Sequence, residues 1–329
     1  MPGFRTHYLF GKLTQAKTGL SYHALHDHPH CFNLGQQGPD IFFYCPPSHL
    51  FYHEHLGGHL HHRNTLAFFA ALFEGRSRFP TKEFRSICDA YIMGLIGHYT
   101  LDTIMHPYIH YRCKKRENHE RPLYAFGIHV MLETDIDKAL LAHYLHKKPS
   151  EFQCADTITL SKKEQLVISL LLSFAIRRAY PEFKPSAAHM SCAISCTRLV
   201  NRLLHDPTGH TKTLVRMLDR KMAGTAIISP LIATDSHQTY NDPCNLTHRR
   251  WRNPWRPSKA STKDVYALLK QAGRIYRNRL SLYYDMMVRL PENFFYCQNT
   301  LLTDLENLSY DTGLVIQKGD PFAAGIYTS

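Results

Sequence analysis

The chain has 329 residues, 44% of them hydrophobic and 20% charged, and a mass of 38.1 kDa. This balance is typical of folded globular proteins and excludes disordered and collagen-like chains. The formal net charge is +12, and histidine occurs 23 times, with 18 of these residues at or before His146.

The first residues carry a single arginine and no apolar run behind it, so they do not resemble a secretory signal. Nowhere does the sequence contain the roughly 18 to 20 consecutive apolar residues that span a bilayer. We therefore expect no transmembrane segment, and either a cytoplasmic protein, which could bind peripherally to a membrane, or one from which a signal has been removed.

Apolar residues recur at spacings of three and four along most of the chain, which indicates helices. The predicted helices are 65–74, 82–105, 127–146, 162–179, 187–205 and 261–287. Glycine-rich, proline-rich or polar stretches predict loops at 35–39, 46–47, 57–58 and 234–257. We predict an all-α fold, with one multi-helix domain over 1–290 and a C-terminal extension over 291–329 that is irregular from about 308.

Nine cysteines are scattered along the chain without a C-x-x-C pair. This spacing argues against a disulfide framework and against a four-thiolate zinc site. We expect most of these thiols to be reduced and buried, and any metal to be held by histidine and carboxylate.

The clearest chemical pattern is H-x3-D-x3-H, formed by His98, Asp102 and His106. At 100° per residue, these side chains share one face of a helix that is otherwise apolar. Ionisable groups on a buried face are costly unless they are paired or bound to metal, so the pattern favours a metal site. Pro107 is expected to end this helix.

His129 and Glu133 are again one helical turn apart. By itself this pair is more typical of an ordinary hydrogen-bonded surface pair, but together with the first pattern it favours metal binding. His7, Asp40 and His61 lie on loops or helix starts, and Asp40 could instead cap a helix.

The order His, G-x-D, His, H-x3-D-x3-H and H-x3-E resembles the bacterial zinc-dependent phospholipases C, whose all-helical fold is shared with trinuclear-zinc nucleases. The resemblance implies two or three zinc ions, with all side-chain ligands within residues 1–133. One ion would be held by Asp40, His61, His98 and Asp102, and the second by His106, His129 and Glu133. The third would be held by His7, Asp102 and the α-amino group.

Two positions depart from the family pattern. In the family the second ion's first histidine lies six residues after the aspartate, whereas His106 lies four after Asp102, which leaves His110 as the alternative. We prefer His106 because it keeps the helical face of His98 and Asp102. Secreted relatives expose the ligand amine by removing a signal peptide, so here removal of Met1 would have to expose the amine of Pro2.

The predicted reaction is phosphodiester hydrolysis, in which a zinc-bound hydroxide attacks phosphorus. Asp40 is the candidate catalytic residue, because it would orient the water or accept its proton. We expect a phospholipid or another phosphodiester as substrate. The alternatives are a zinc nuclease on the same fold, with nucleic acid the less favoured partner, and an inactive zinc-stabilised scaffold.

Ten basic residues and one acidic residue occupy 246–279, near both tryptophans, Trp251 and Trp255. Such a segment would suit an anionic membrane surface, since cations meet phosphate there and indole lies at headgroup depth. It would also suit nucleic acid. Equally consistent are a solvated helix face and two tryptophans that pack the loop onto the body.

Overall fold

The computed structural model describes residues 3–16, 23–45, 56–114, 122–223, 228–236, 238–289 and 293–316. Its α-helices are α1 (Phe4–Gln15), α2 (His23–Asp27), α3 (Pro29–Gly35), α4 (Leu56–His62), α5 (Thr65–Ser77), α6 (Lys82–Lys114), α7 (Pro122–Leu145), α8 (Lys162–Ala179), α9 (Ala187–Leu203), α10 (His210–Ala223), α11 (Val265–Tyr284) and α12 (Phe294–Leu305). The predicted all-α fold is confirmed, since the described residues add only short 3-10 and π turns and one hairpin.

The hairpin consists of β1 (Trp251–Asn253) and β2 (Arg256–Ser261), which pair antiparallel with Trp251 opposite Ser261. It lies in the stretch for which a loop was predicted, and it replaces the first residues of the helix that was predicted from 261. Asp264 explains the later start of α11, because its side chain accepts a hydrogen bond from the Ala267 amide and caps the helix.

The long helix α6 forms the centre of the fold and contacts α1, α3, α5, α7, α8 and α11. Its inner face consists of large residues without solvent exposure, among them Tyr99, Tyr108 and Ile109. Burial of such side chains contributes about 1.5–3 kcal/mol each, so α6 is fixed by its neighbours on all sides.

Pro107 does not end this helix, and that prediction was wrong, because α6 continues to Lys114. An interior proline removes one backbone hydrogen bond and costs roughly 3 kcal/mol. Beyond it, Tyr108, Ile109, His110 and Cys113 are buried, so packing of this last part offsets the lost bond. The loop predicted at Gly57 and Gly58 was also wrong, since both residues belong to α4.

Residues 293–316 lie against this body. Helix α12 contacts α5 and α11, and Leu301, Leu305 and Tyr310 are fully buried in the same core. After α12 the chain is irregular apart from a single bridge between Leu308 and Val315. The division of the chain at residue 290 stays a prediction. Among the described residues, no helix is long and apolar enough to cross a membrane.

Candidate metal centre

All eight predicted donor residues lie in one region of the interior, and none is more than 3% exposed. They are His7 on α1, Asp40 on the 3-10 turn Gly38–Phe42, His61 on α4, His98, Asp102 and His106 on α6, and His129 and Glu133 on α7. The fold therefore brings together residues separated by more than 120 positions in the sequence.

Two contacts fix the segments that carry His7 and Asp40. The Asp137 carboxylate of α7 accepts hydrogen bonds from the Arg5 amide at 3.0 Å and the Thr6 amide at 2.8 Å, and so caps α1 from another helix. Gly38 has a φ of +51°, and a Cβ there would overlap the His98 ring. Glycine at this position therefore lets the turn that holds Asp40 approach α6.

Asp102 lies at the centre of the first donor group. His7 Nε2 is 3.1 Å from its Oδ1, and His98 Nε2 is 3.0 Å from its Oδ2. His61 Nε2 lies 3.9 Å from the same Oδ2 and 3.1 Å from Asp40 Oδ1. These residues form two overlapping sets of possible ligands. Within each set the donor atoms lie within 4.8 Å of one another; one set is His7, Asp40 and His98, and the other is His61, His98 and Asp102.

The tautomers of two histidines follow from their backbone contacts. His61 Nδ1 lies 2.6 Å from the Gly57 carbonyl oxygen, and His98 Nδ1 lies 3.0 Å from that of Gln36. Since a carbonyl oxygen only accepts, each Nδ1 carries a hydrogen and each Nε2 faces a carboxylate. At such distances a proton or a metal ion lies between the nitrogen and the carboxylate oxygen, and metal-binding histidines adopt this orientation.

A second observation, the lack of hydrogen bonds at several buried donor atoms, also fits a zinc site. In the described part of the chain, several buried atoms of this group make no hydrogen bond, namely His7 Nδ1 and Nε2, His98 Nε2, Asp102 Oδ1 and Oδ2, and His106 Nε2. Buried polar atoms without hydrogen bonds are rare, and they require a partner of another kind. Imidazole nitrogen and carboxylate oxygen are ligands that zinc prefers.

The second donor group consists of His106, His129 and Glu133, whose ligand atoms also lie within 4.8 Å of one another. Glu133 Oε1 is 2.7 Å from His129 Nε2 and 3.9 Å from His106 Nε2. His106 Nδ1 is 2.9 Å from the Tyr310 carbonyl oxygen, to which it donates. The alternative ligand, His110, lies beside this group with its ring 4.8 Å from that of His129. The choice of His106 stays a prediction, and the geometry favours it.

Burial and charge set the protonation of these groups. Burial lowers the pKa of His7, and lowers those of His106 and His129 well below the usual range, so these rings are neutral. Burial would raise the pKa of Asp102, but the surrounding histidines outweigh it and hold that pKa well below its usual range. Burial raises the pKa of Glu133 well above its usual range, and a bound cation would return this group to the carboxylate.

Sequence reasoning missed Asp311, which lies in the irregular segment after α12. Its carboxylate is 3.1 Å from His62 Nε2, 3.4 Å from His106 Nδ1 and 3.8 Å from His110 Nε2. The only signal was the surplus of histidines without an assigned role, because no spacing links residue 311 to the others. The amine expected to hold a third ion, that of Pro2, lies outside the described residues.

A family model described as zinc dependent phospholipase C matches residues 6–189, which is more than half of the chain. The chain belongs to this family. The matched range contains all eight predicted donors, whereas Asp311 lies beyond it. Searches of curated proteins and of solved structures found no match.

The tryptophans of this zinc-dependent phospholipase C family member differ in their surroundings. Trp251 is 7% exposed, packs edge-on against Tyr108, and donates from Nε1 to the Lys263 carbonyl oxygen at 3.0 Å. Trp255 is half-buried, and its ring lies 4.9 Å from that of His110. Trp251 therefore packs the hairpin onto α6, while Trp255 lies at the edge of the donor region.

Most basic side chains of 246–279 are exposed, as a solvated face would be. Arg279 differs, since it is 4% exposed and its Nε donates to Asp304 Oδ1 at 2.8 Å. It therefore joins α11 to α12 and is not available to an anionic partner.

Proposed function

We propose that this protein is a zinc-dependent phosphodiester hydrolase of the phospholipase C type that acts on phospholipids. The observation that carries the proposal is the orientation of two buried histidines: His61 and His98 donate from Nδ1 to backbone carbonyls and turn Nε2 toward carboxylate oxygens at 3.1 and 3.0 Å. Membership of the zinc-dependent phospholipase C family supports the reaction class.

The residues would divide as follows. Asp40, His61, His98 and Asp102 would hold one ion, His106, His129 and Glu133 a second, and His7 with Asp102 and the chain amine a third. When bound, zinc would lower the pKa of a water ligand toward 7 and neutralise charge on the phosphate oxygens. The backbone carbonyls that accept from the histidine Nδ1 atoms would hold the rings in place during turnover.

Asp40 is the proposed general base. Together with Glu133, Arg5 and Tyr44, it lines a cavity of about 40 Å³, which has room for water. One oxygen of Asp40 faces His61, so the second can orient a water or take its proton. Arg5 lines the same cavity, where its guanidinium lies 3.9 Å from the Asp137 carboxylate.

Replacing Asp40 by asparagine tests this role. The amide keeps one oxygen for a metal but cannot accept a proton, so we expect kcat to fall by about 10²- to 10⁴-fold while zinc content per chain stays near the wild-type value. Both are measured on the same preparation, made without a His tag, by steady-state kinetics and by metal mass spectrometry. Turnover near wild type would show that Asp40 is not the base.

A substrate panel tests the reaction class. Phosphatidylcholine micelles, bis-p-nitrophenyl phosphate and single-stranded DNA are each assayed with and without chelator, and we expect chelator-sensitive release of phosphocholine from the micelles to be fastest. Faster cleavage of DNA would favour the nuclease. Bound zinc without turnover on any substrate would favour the scaffold.

A further inference from the structure

Three cysteines that are far apart in the sequence meet at one place in the fold. Cys45 follows the turn that carries Asp40, and Cys192 and Cys196 lie one helical turn apart on α9. Their three sulfur atoms all lie within 4.8 Å of one another, and the Sγ atoms of Cys192 and Cys196 are 3.9 Å apart. None of the three is in a disulfide. We call these residues the thiol cluster.

The backbone around the thiol cluster is held by contacts between α9 and the 38–45 segment. Thr197 Oγ1, next to Cys196, donates to the Ile41 carbonyl oxygen at 3.1 Å. Cys45 is 3% exposed, whereas Cys192 and Cys196 are half-buried. The cluster is therefore closed on the side of Cys45 and reachable from the side of α9.

The separation of the Cys192 and Cys196 sulfurs matches that of two thiolates on one metal ion, and the Cys45 sulfur lies within 4.8 Å of both. With metal–sulfur bonds of about 2.3 Å, two sulfur ligands lie about 3.8 Å apart in a tetrahedral site and about 4.0 Å apart in a trigonal one. The Cys192–Cys196 separation of 3.9 Å falls between these values. A disulfide needs sulfurs about 2.05 Å apart and can join only two of the three.

We propose that the thiol cluster binds a soft or borderline metal ion such as Zn²⁺ or Cu⁺ through three thiolates, at a site separate from the histidine and carboxylate donors. Thiolate sulfur selects such ions over calcium or magnesium. The ion would join α9 to the 38–45 segment, because Cys45 lies five residues after Asp40. On the side of Cys192 and Cys196 it would be open to solvent.

Cadmium is the probe for this site, because its thiolate complexes absorb in the near ultraviolet and its complexes with nitrogen and oxygen ligands do not. Reduced, full-length protein, purified without a His tag and freed of metal, is titrated with Cd²⁺. We expect a charge-transfer band whose final intensity corresponds to one thiolate-bound ion per chain and which disappears when a chelator removes cadmium. Burial raises the pKa of Cys196, so binding also releases protons at neutral pH.

Variants assign the band to the cluster. C196S and the double variant C192S/C196S are expected to lose it, whereas C297S, which removes another buried thiol on α12, is expected to keep it. In the wild type, mass spectrometry after alkylation is expected to show Cys192 and Cys196 protected by Cd²⁺, a result that does not depend on the folding of any variant. The proposal is overturned by absence of the band, by a band that survives in the double variant, by unchanged alkylation, or by recovery of a disulfide within the cluster.

Discussion

Asp102 is the residue on which the donor arrangement depends most. It is fully buried, and its two oxygens lie within 4.0 Å of nitrogens of four histidines, His7, His61, His98 and His106. A lone buried carboxylate would be strongly destabilising, so the cluster around Asp102 is stable only with cations or metal beside it.

Asp102→Asn should therefore weaken zinc binding more than a substitution at a residue that does not bind the metal directly. Loss of an outer partner typically costs 10- to 100-fold in metal affinity, so we expect at least about 100-fold here. Competition with a chromogenic chelator measures the affinity. The matched control is Asp219→Asn, a buried carboxylate on α10 that accepts hydrogen bonds from the Ile228 and Ser229 amides and should lower stability while changing zinc affinity little. Equal zinc affinity in the two variants would rule out Asp102 as a ligand.

Asp311 has a different position, because it lies near Nδ1 of His106, whereas Nε2 of the same ring faces Glu133. His62 Nε2 lies 3.1 Å from its Oδ2, and His106 Nδ1 lies 3.4 Å from its Oδ1. The hydrogen on His106 Nδ1 goes to the Tyr310 carbonyl oxygen, so Asp311 acts on this ring through its charge, which raises the basicity of a ligand histidine.

We predict that Asp311→Asn lowers zinc affinity by about 10-fold without unfolding the protein. Asp206→Asn is the control, because Asp206 is also buried but accepts backbone hydrogen bonds at the start of α10. Chelator competition and circular dichroism are measured for both variants. If the asparagine at 311 leaves affinity unchanged, the C-terminal segment has no part in the centre.

At the scale of elements, the backbones of α3 and α6 pack very close together beside the site. A Cβ on Gly94 would overlap the Phe32 carbonyl oxygen, and a Cβ on Gly35 would overlap that of Tyr91. The Gln36 carbonyl, which accepts from His98 Nδ1, directly follows α3. The spacing of these helices therefore sets the position of one donor ring.

Gly94→Ala should push α3 away from α6 and lower the free energy of unfolding by about 1–3 kcal/mol. Gly273→Ala on α11 is the control, since its Cβ would meet its nearest neighbour, Thr14 Oγ1, at an ordinary 3.5 Å. In a helix interior that change is expected to stabilise by up to about 1 kcal/mol. Urea denaturation of the two variants measures both effects. Similar midpoints would show that the glycine contact between α3 and α6 is not needed.

Over the whole molecule, helical periodicity predicted the six helices whose apolar faces are continuous, and motif spacing predicted residues that lie together in the interior. The rest depends on long-range contacts. Gly3, the residue before α1, offers no side-chain cap, and the cap comes from Asp137, more than 130 residues away. Helix α6 passes Pro107 because its last part is buried. Asp311 and Cys45 reach their partners only through the fold.

Because the donors come from α1, α4, α6, α7 and the turn at Asp40, zinc binding should stabilise the chain as a whole. That stabilisation should depend on pH. Burial would lower the pKa of His98, but Asp102 and Asp40 outweigh it and raise that pKa, while burial raises the pKa of Glu133. Metal-free protein therefore holds protons on both groups above their ordinary pKa values of about 6.5 and 4.3, and zinc must displace them.

The sign follows from proton numbers. The zinc-loaded protein binds fewer protons than the metal-free protein, so the stabilisation by zinc increases with pH until His98 and Glu133 have lost their protons in the metal-free form. We expect the difference in unfolding free energy between loaded and metal-free protein to increase as the pH rises through and above about 6.5, the ordinary pKa of histidine, by about 1.4 kcal/mol per pH unit for each proton displaced. Urea titrations at fixed free zinc measure it. A difference that does not change across this range would mean that zinc is held by other groups.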